Sequence, residues 1–108
     1  MNPHPLKLDR IIENPDATHK FVAIFNNGTK TKFGAKGYQD FTMHKNIQRR
    51  QRYIQRHWRD LSTNDPTRAG YLSMFILWNK PSLQKSLQDY RTRLSIYNKT
   101  NHFPTDIH

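Results

Sequence analysis

The sequence predicts an α+β fold, in which an N-terminal β-hairpin packs on a small three-helix domain with extended N- and C-terminal tails. Two β-like runs, at residues 20–25 and 29–33, flank Asn26-Asn27-Gly28. Asn-Gly between such runs is a strong hairpin signal, because both residues tolerate positive φ. Since a lone hairpin is marginally stable in water, we expect it to pack on the helices that follow.

The length of the chain allows one small hydrophobic core. We therefore expect a single domain at residues 20–97, an extended polar arm at 1–19 and a polar tail at 98–108. The arm contains several prolines and no hydrophobic periodicity. It also lacks the apolar stretch that a signal peptide needs, so we expect an intracellular protein.

The first helical pattern, at residues 43–59, has two opposite faces. At about 100° per residue, one stripe holds five cations: Lys45, Arg49, Arg52, Arg56 and Arg59. The opposite stripe is apolar and is expected to face the core; it holds Met43, Ile47, Ile54 and Trp58. Thr42 is a candidate N-cap, and the helix is expected to end near Asp60.

Two further helices are predicted. Asp65-Pro66 is a typical helix start, and residues 69–78 are apolar on nearly all sides, as expected for a buried helix or for one that contacts a homodimer partner. The last helix begins at Pro81 or Ser82 and carries one continuous apolar stripe, formed by Leu83, Leu87, Tyr90, Leu94 and Tyr97.

The formal charge of +10 is concentrated in the middle of the chain, since residues 20–59 hold ten cations and one acid. No acid occurs at residues 41–59, whereas an ordinary solvated helix face mixes acids with bases to gain i,i+4 pairs. The pattern therefore favours a polyanion-binding surface over a merely solvated one. We expect phosphate contacts from the helix stripe, assisted by three lysines of the hairpin side: Lys30, Lys32 and Lys36.

The loop at residues 33–42 has two open interpretations. Lys36 is flanked by Gly34 and Gly37, so that this loop could approach a phosphate while an aromatic residue stacks on a base. Alternatively, Tyr38 and Phe41 fill the gap between hairpin and helix, which is the interpretation we favour for both rings.

Other classes of function have weaker support. There is no cysteine, and no pair of the six histidines has the i,i+4 spacing of a helical zinc site, so no metal site or cofactor is expected. Phosphodiester chemistry usually needs metal-binding carboxylates or an activated nucleophile, and the basic segment has one acid, so we expect no enzyme. The longest apolar run is too short to span a membrane.

Three stretches together resemble a family of short basic proteins of unknown function from giant nucleocytoplasmic DNA viruses. They are Lys32-Phe33-Gly34 through Asp40-Phe41-Thr42-Met43-His44; Arg49-Arg50 through Tyr53 to Arg56-His57; and Ala69-Gly70 through Leu77-Trp78-Asn79-Lys80. The resemblance covers residues 20–94. It departs at Asn46, where relatives are expected to carry an acid, so a functional carboxylate is not expected there.

The resemblance implies a viral protein that works at viral factories in the host cytoplasm or nucleus, or in the virion. We expect non-enzymatic binding of nucleic acid with little sequence specificity, with DNA favoured over RNA. The alternative is a minor capsid or cement protein that docks acidic surfaces of capsid proteins through its basic face and reaches neighbouring subunits with its tails.

Overall fold

The computed structural model describes residues 4–107, so the first three residues of the predicted arm and the last residue of the predicted tail lie outside the described residues. The fold is α+β, as predicted. Three strands, β1 (Leu8–Glu13), β2 (His19–Phe25) and β3 (Lys30–Ala35), form an antiparallel sheet in the order β1-β2-β3. The helices are α1 (Phe41–His44), α2 (Ile47–His57) with a 3₁₀ extension (Trp58–Thr63), α3 (Ala69–Leu72) with a π turn (Ser73–Leu77), and α4 (Leu83–Thr100).

The predicted hairpin is confirmed as β2 and β3. Phe21 pairs with Phe33, and Gly28 takes a φ of 88° in the turn between the strands. Residues two apart on a strand share a face of the sheet. Phe33 is accordingly buried against the helices, while Lys30 and Lys32 are exposed on the outer face.

The prediction of an arm at residues 1–19 is wrong for its central part, which forms β1 and adds a strand to the predicted hairpin. Leu8 is buried, and Ile11 pairs with Ala23 of β2. The ladder is irregular between Leu8 and Arg10, so the apolar residues do not alternate with a period of two. This irregularity removes the pattern by which a strand is recognised in a sequence.

The centre of the domain is α3 with its π turn. Tyr71, Leu72, Met74, Phe75 and Ile76 are fully buried within this chain, as the apolar pattern predicted. The exposed apolar face on which a homodimer would depend is therefore not present on this segment.

The start of α3 differs from the prediction. Asp65 and Pro66 form a turn in which the Asp65 carboxylate accepts a hydrogen bond from the Thr67 amide at 3.1 Å. The helix itself begins four residues after Asp65, at Ala69.

The basic segment is two helices and not one. Asp40 caps α1, in place of the predicted Thr42, and Asn46 caps α2. Between the helices Lys45 takes a left-handed φ of 55°, which ends the first helix.

This break changes which residues face the core. The predicted apolar stripe is wrong in three of its four positions, since Met43, Ile47 and Trp58 are 56%, 56% and 49% exposed. The break at residue 45 shifts the phase of the helix, so α2 packs through Arg50, Tyr53 and Ile54. The 3₁₀ winding after His57 then turns Trp58 outward.

The last helix follows the prediction at its start and along its face. Ser82 caps α4, accepting a hydrogen bond from the Lys85 amide, and the predicted apolar stripe packs on the core. The predicted polar tail is different, because α4 continues to Thr100 and Phe103 is fully buried. Arg93 fixes this segment by donating to the Pro104 carbonyl at 2.9 Å.

The N-terminal segment is also fixed to α4. The Leu6 amide donates to Asn98 Oδ1 at 2.9 Å, and Asn98 Nδ2 donates to the Leu6 carbonyl at 2.8 Å. Arg91 donates to the Leu8 carbonyl at 3.1 Å. These bonds form a clamp, hereafter the Leu6–Asn98 clamp, that joins both ends of the described chain.

Candidate functional site

A groove of about 730 Å³ lies between α2 and the sheet. One wall is α2 with the start of its 3₁₀ extension, the opposite wall comes from β2, β3 and the loop after β3, and the floor comes from α3 and its π turn. Its charged lining comprises four cations and two carboxylates: Lys20, Arg49, Arg52, Arg56, Asp40 and Asp60. This volume lies in the range of about 300–1,000 Å³ typical of ligand sites.

The close approach of β3 to the floor depends on Gly34. Its φ is +78°, and a Cβ built there would lie 2.8 Å from Leu77 Cδ1. A larger residue would therefore force either the Leu77 side chain or β3 to shift.

Three arginines of the predicted stripe line the groove: Arg49, Arg52 and Arg56. All three are exposed, and none takes part in a salt bridge within residues 4–107. The two carboxylates of the groove pair with other residues, Asp40 with Lys20 and Asp60 with His57. The remaining ion pairs involve Lys32, Arg68 and Arg93. Like charges at i,i+3 and i,i+4 repel each other, so this row of arginines is electrostatically unfavourable unless an anion lies against it.

The structure does not bring the other predicted cations into the groove. Lys30 and Lys32 extend from the outer face of the sheet, and Lys32 pairs with Asp16 at 2.6 Å. Lys36 donates to the Asn14 carbonyl at 3.0 Å. Lys45 and Arg59 are exposed but flank the groove, one before α2 and the other after it.

Lys32 and Lys36 therefore have structural partners. The hydrogen bond from the Lys32 side chain, followed by those from Thr18, holds the pKa of the Asp16 carboxyl well below its usual range. These two lysines stabilise the turn between β1 and β2.

A column of aromatic rings lies beside the arginines, and three of its members also line the groove. Tyr53 stacks on Trp78 with a centroid distance of 4.3 Å and an interplanar angle of 3°, and His57 stacks on the other face of Tyr53 at 4.3 Å. His44 continues the column beyond Trp78 at 5.3 Å. This stacking holds α2, and with it the backbone positions of the three arginines, against the floor of the groove.

Burial raises the pKa of Tyr53 to about 12, and its hydroxyl is hydrogen-bonded to Ser73. Tyr53 is therefore neutral under physiological conditions and holds α2 to the floor of the groove.

Arg50 anchors α2 on its buried side. The side chain is 5% exposed, its Nε donates to the Asn79 carbonyl at 2.9 Å, and its guanidinium lies 5.6 Å from the centre of the Phe41 ring. Burial lowers the pKa of this group. Arg50 is thus a structural cation, in contrast to its neighbours on the exposed face.

A buried ion pair joins β2 to the start of α1, on the wall opposite α2. Lys20 Nζ lies 2.6 Å from Asp40 Oδ2, and the two side chains are 15% and 5% exposed. The second oxygen of Asp40 caps α1 by accepting from the Thr42 amide at 3.0 Å. Both carboxylate oxygens of Asp40 therefore have structural partners.

His44 lies at the junction of α1 and α2. Its Nδ1 accepts a hydrogen bond from the Asn46 amide at 2.9 Å, which places the proton of the neutral ring on Nε2. Nε2 is buried and has no hydrogen-bond partner among the described residues. Burial, and then the charge of Arg49, lower the pKa of His44.

The sequence interpretation of Tyr38 is wrong, although that of Phe41 is right. Phe41 is 3% exposed and fills the space between sheet and helices, whereas Tyr38 is 73% exposed at the rim of the groove. Tyr38 follows a turn in which Gly37 has a φ of 89°, and its amide donates to the Ala35 carbonyl at 3.3 Å. Gly37 before Tyr38 indicates a turn, but the sequence does not show whether the Tyr38 ring points into the core or into solvent.

Within residues 4–107 no group of three or more histidine or acidic side chains could hold a metal ion. The same part of the chain contains no helix that is long and apolar enough to cross a membrane.

Residues 10–57 match a family described as a family of unknown function, DUF5754. The matched segment runs from β1 to the end of α2 and includes the three arginines of the groove. No curated protein and no solved structure matches the chain. The match supports an uncharacterised family, as the resemblance implied.

Proposed function

We propose that this protein binds nucleic acid through phosphate contacts, with little sequence specificity and without catalysis. The observation that carries the proposal is the row formed by Arg49, Arg52 and Arg56, which faces a groove and has no acidic partner within the described residues. A phosphodiester backbone supplies anions at regular spacing, and guanidinium groups bind phosphate oxygens in bidentate geometry.

Rigid support of this row favours a binding role over a merely solvated surface. Tyr53 and His57 are stacked, and Arg50 is buried on the opposite side of α2. Binding then requires little ordering of α2, which lowers the entropic cost of forming several phosphate contacts together.

The setting that we propose is that of a giant virus, from the resemblance stated above, at viral factories or in the virion. In the alternative capsid role, the basic face docks acidic protein surfaces and the tails reach neighbouring subunits. Phe103 is instead buried among Tyr71, Phe75 and Tyr90 of its own chain, and this packing favours the nucleic-acid proposal.

The test is binding to labelled DNA and RNA, measured by fluorescence anisotropy over a range of salt concentrations. If the three groove arginines each neutralise one phosphate, the logarithm of the affinity should fall with the logarithm of salt with a slope of about −2 to −3.

Charge reversal separates this site from general basicity. Arg52→Glu with Arg56→Glu should weaken binding by about 100-fold or more, because two contacts are lost and two repulsions are added. The matched control reverses Lys85 and Lys99, two exposed lysines of α4, and changes the net charge by the same amount. Equal losses in the two variants, or no binding by the unmodified chain, would reject the proposal.

A further inference from the structure

We infer that the groove selects an unpaired strand, with a base stacked on Tyr38 and the adjoining phosphates on the arginines of α2. This inference rests on the proposed function and names its substrate class. The observation behind it is the position of an exposed aromatic ring at the rim of a basic groove.

Tyr38 is held on a fixed support, although its ring is exposed. Lys36, two residues before Tyr38, is bound twice to the sheet side. Its amide donates a hydrogen bond to the Thr18 carbonyl at 3.2 Å, and its Nζ donates one to the Asn14 carbonyl at 3.0 Å. Together with the bond from the Tyr38 amide to Ala35, these contacts tie both sides of the turn to the sheet. The ring is therefore presented without the loss of loop freedom that ordering on binding would require.

The ring lies between two depressions. The arginine groove is on one side, and a second depression of about 450 Å³ is on the other. The charged residues that line the second depression are Glu13, Lys20 and Lys36, and its two lysines already bind Asp40 and the Asn14 carbonyl. The cations without an acidic partner are therefore on the side of the arginine groove. Arg49 Nη1 donates to Gln39 Oε1 at 3.3 Å, which brings a guanidinium beside the residue that follows Tyr38. A strand that lies in the groove can therefore place its phosphates on the arginines of α2 and a base on the ring of Tyr38.

A duplex cannot use this arrangement. The faces of its bases are covered by their neighbours, so a ring at the rim of a groove can stack only on a base that is unstacked. Stacking on an aromatic ring tolerates any base, which agrees with a binder of low sequence specificity.

The test uses the full chain and three labelled probes of identical sequence, each about 12 nucleotides or base pairs long: single-stranded DNA, single-stranded RNA and duplex DNA. We expect both single strands to bind more tightly than the duplex. Tyr38→Ala should weaken single-strand binding about 10-fold and leave duplex binding unchanged, while Tyr38→Phe should retain the affinity of the unmodified chain. The RNA and DNA arms show whether the sugar matters.

The outcomes are distinguishable. Duplex binding at least as tight as single-strand binding, or a Tyr38→Ala variant that binds single strands normally, would overturn the inference and leave the proposed function standing. Failure of all three probes would remove the proposed function itself. Because Tyr38 is 73% exposed, its substitution should not change the thermal unfolding midpoint, and this measurement excludes misfolding as a cause.

Discussion

Replacing Phe103 by alanine should strongly destabilise the protein, although the sequence places this residue in a polar segment after the last helix. The side chain is fully buried and packs against Tyr71, Phe75 and Tyr90 with centroid distances of 5.3, 5.2 and 5.7 Å. Truncation of a buried phenylalanine usually costs about 3–5 kcal/mol, and three ring partners place this site near the middle of that range or above it. We therefore expect a loss of about 4 kcal/mol.

A loss of this size is a large part of the total stability of a small domain, which is about 5–15 kcal/mol. It should lower the unfolding midpoint by about 15–30 °C, measured by circular dichroism, and shift the urea midpoint in the same direction. His102→Ala is the control, because His102 is exposed next to Phe103 and should change the stability by less than about 0.5 kcal/mol. A loss below about 1 kcal/mol for Phe103→Ala would show that this segment does not belong to the core.

Two further substitutions test the floor of the groove and the α1–α2 junction. Gly34→Ala should destabilise the protein by about 1–3 kcal/mol more than Gly28→Ala, as measured by urea unfolding. Both residues have positive φ, but only at Gly34 would the new Cβ lie 2.8 Å from Leu77 Cδ1. Equal losses of stability in the two variants would refute this contact. The pKa of His44 is lowered in the folded state from its ordinary value of 6.5, so the unfolded chain binds the proton more readily and stability should fall as the pH decreases below about 6.5. His44→Asn keeps an acceptor for the amide of residue 46 and should reduce this pH dependence. If the stability of the variant depends on pH as before, His44 is not the group responsible.

Local signals in the sequence predicted much of the fold. Asn27-Gly28 defines the hairpin because the backbone of the turn requires positive φ, and Ser82 with the stripe that ends at Leu94 and Tyr97 defines α4. These features depend on residues close in the chain, so they can be recognised without tertiary structure.

The features that were missed depend on tertiary structure. Lysine has no preference for the left-handed backbone that Lys45 adopts, so the sequence does not predict the break between α1 and α2. Without the break, the exposure of Met43 and Ile47 cannot be predicted either. Phe103 is a single aromatic residue without periodicity, and only the space between α3 and α4 explains its burial.

The candidate site was predictable in part for the same reason. The spacing of Arg49, Arg52 and Arg56 on one face survives, because all three lie within α2. Tyr38 and Lys20 join them only because β3 and α2 pack on either side of α3, which the sequence does not specify.

The Leu6–Asn98 clamp has a consequence for the order in which the chain acquires its structure during synthesis. Its partners are 92 residues apart, so the clamp can form only after most of α4 has left the ribosome. The β2–β3 hairpin needs only nearby residues and can form much earlier. Until α4 arrives, the segment before β1 lacks the helix on which it docks, and the apolar surface around Leu8 is open to solvent and to chaperones.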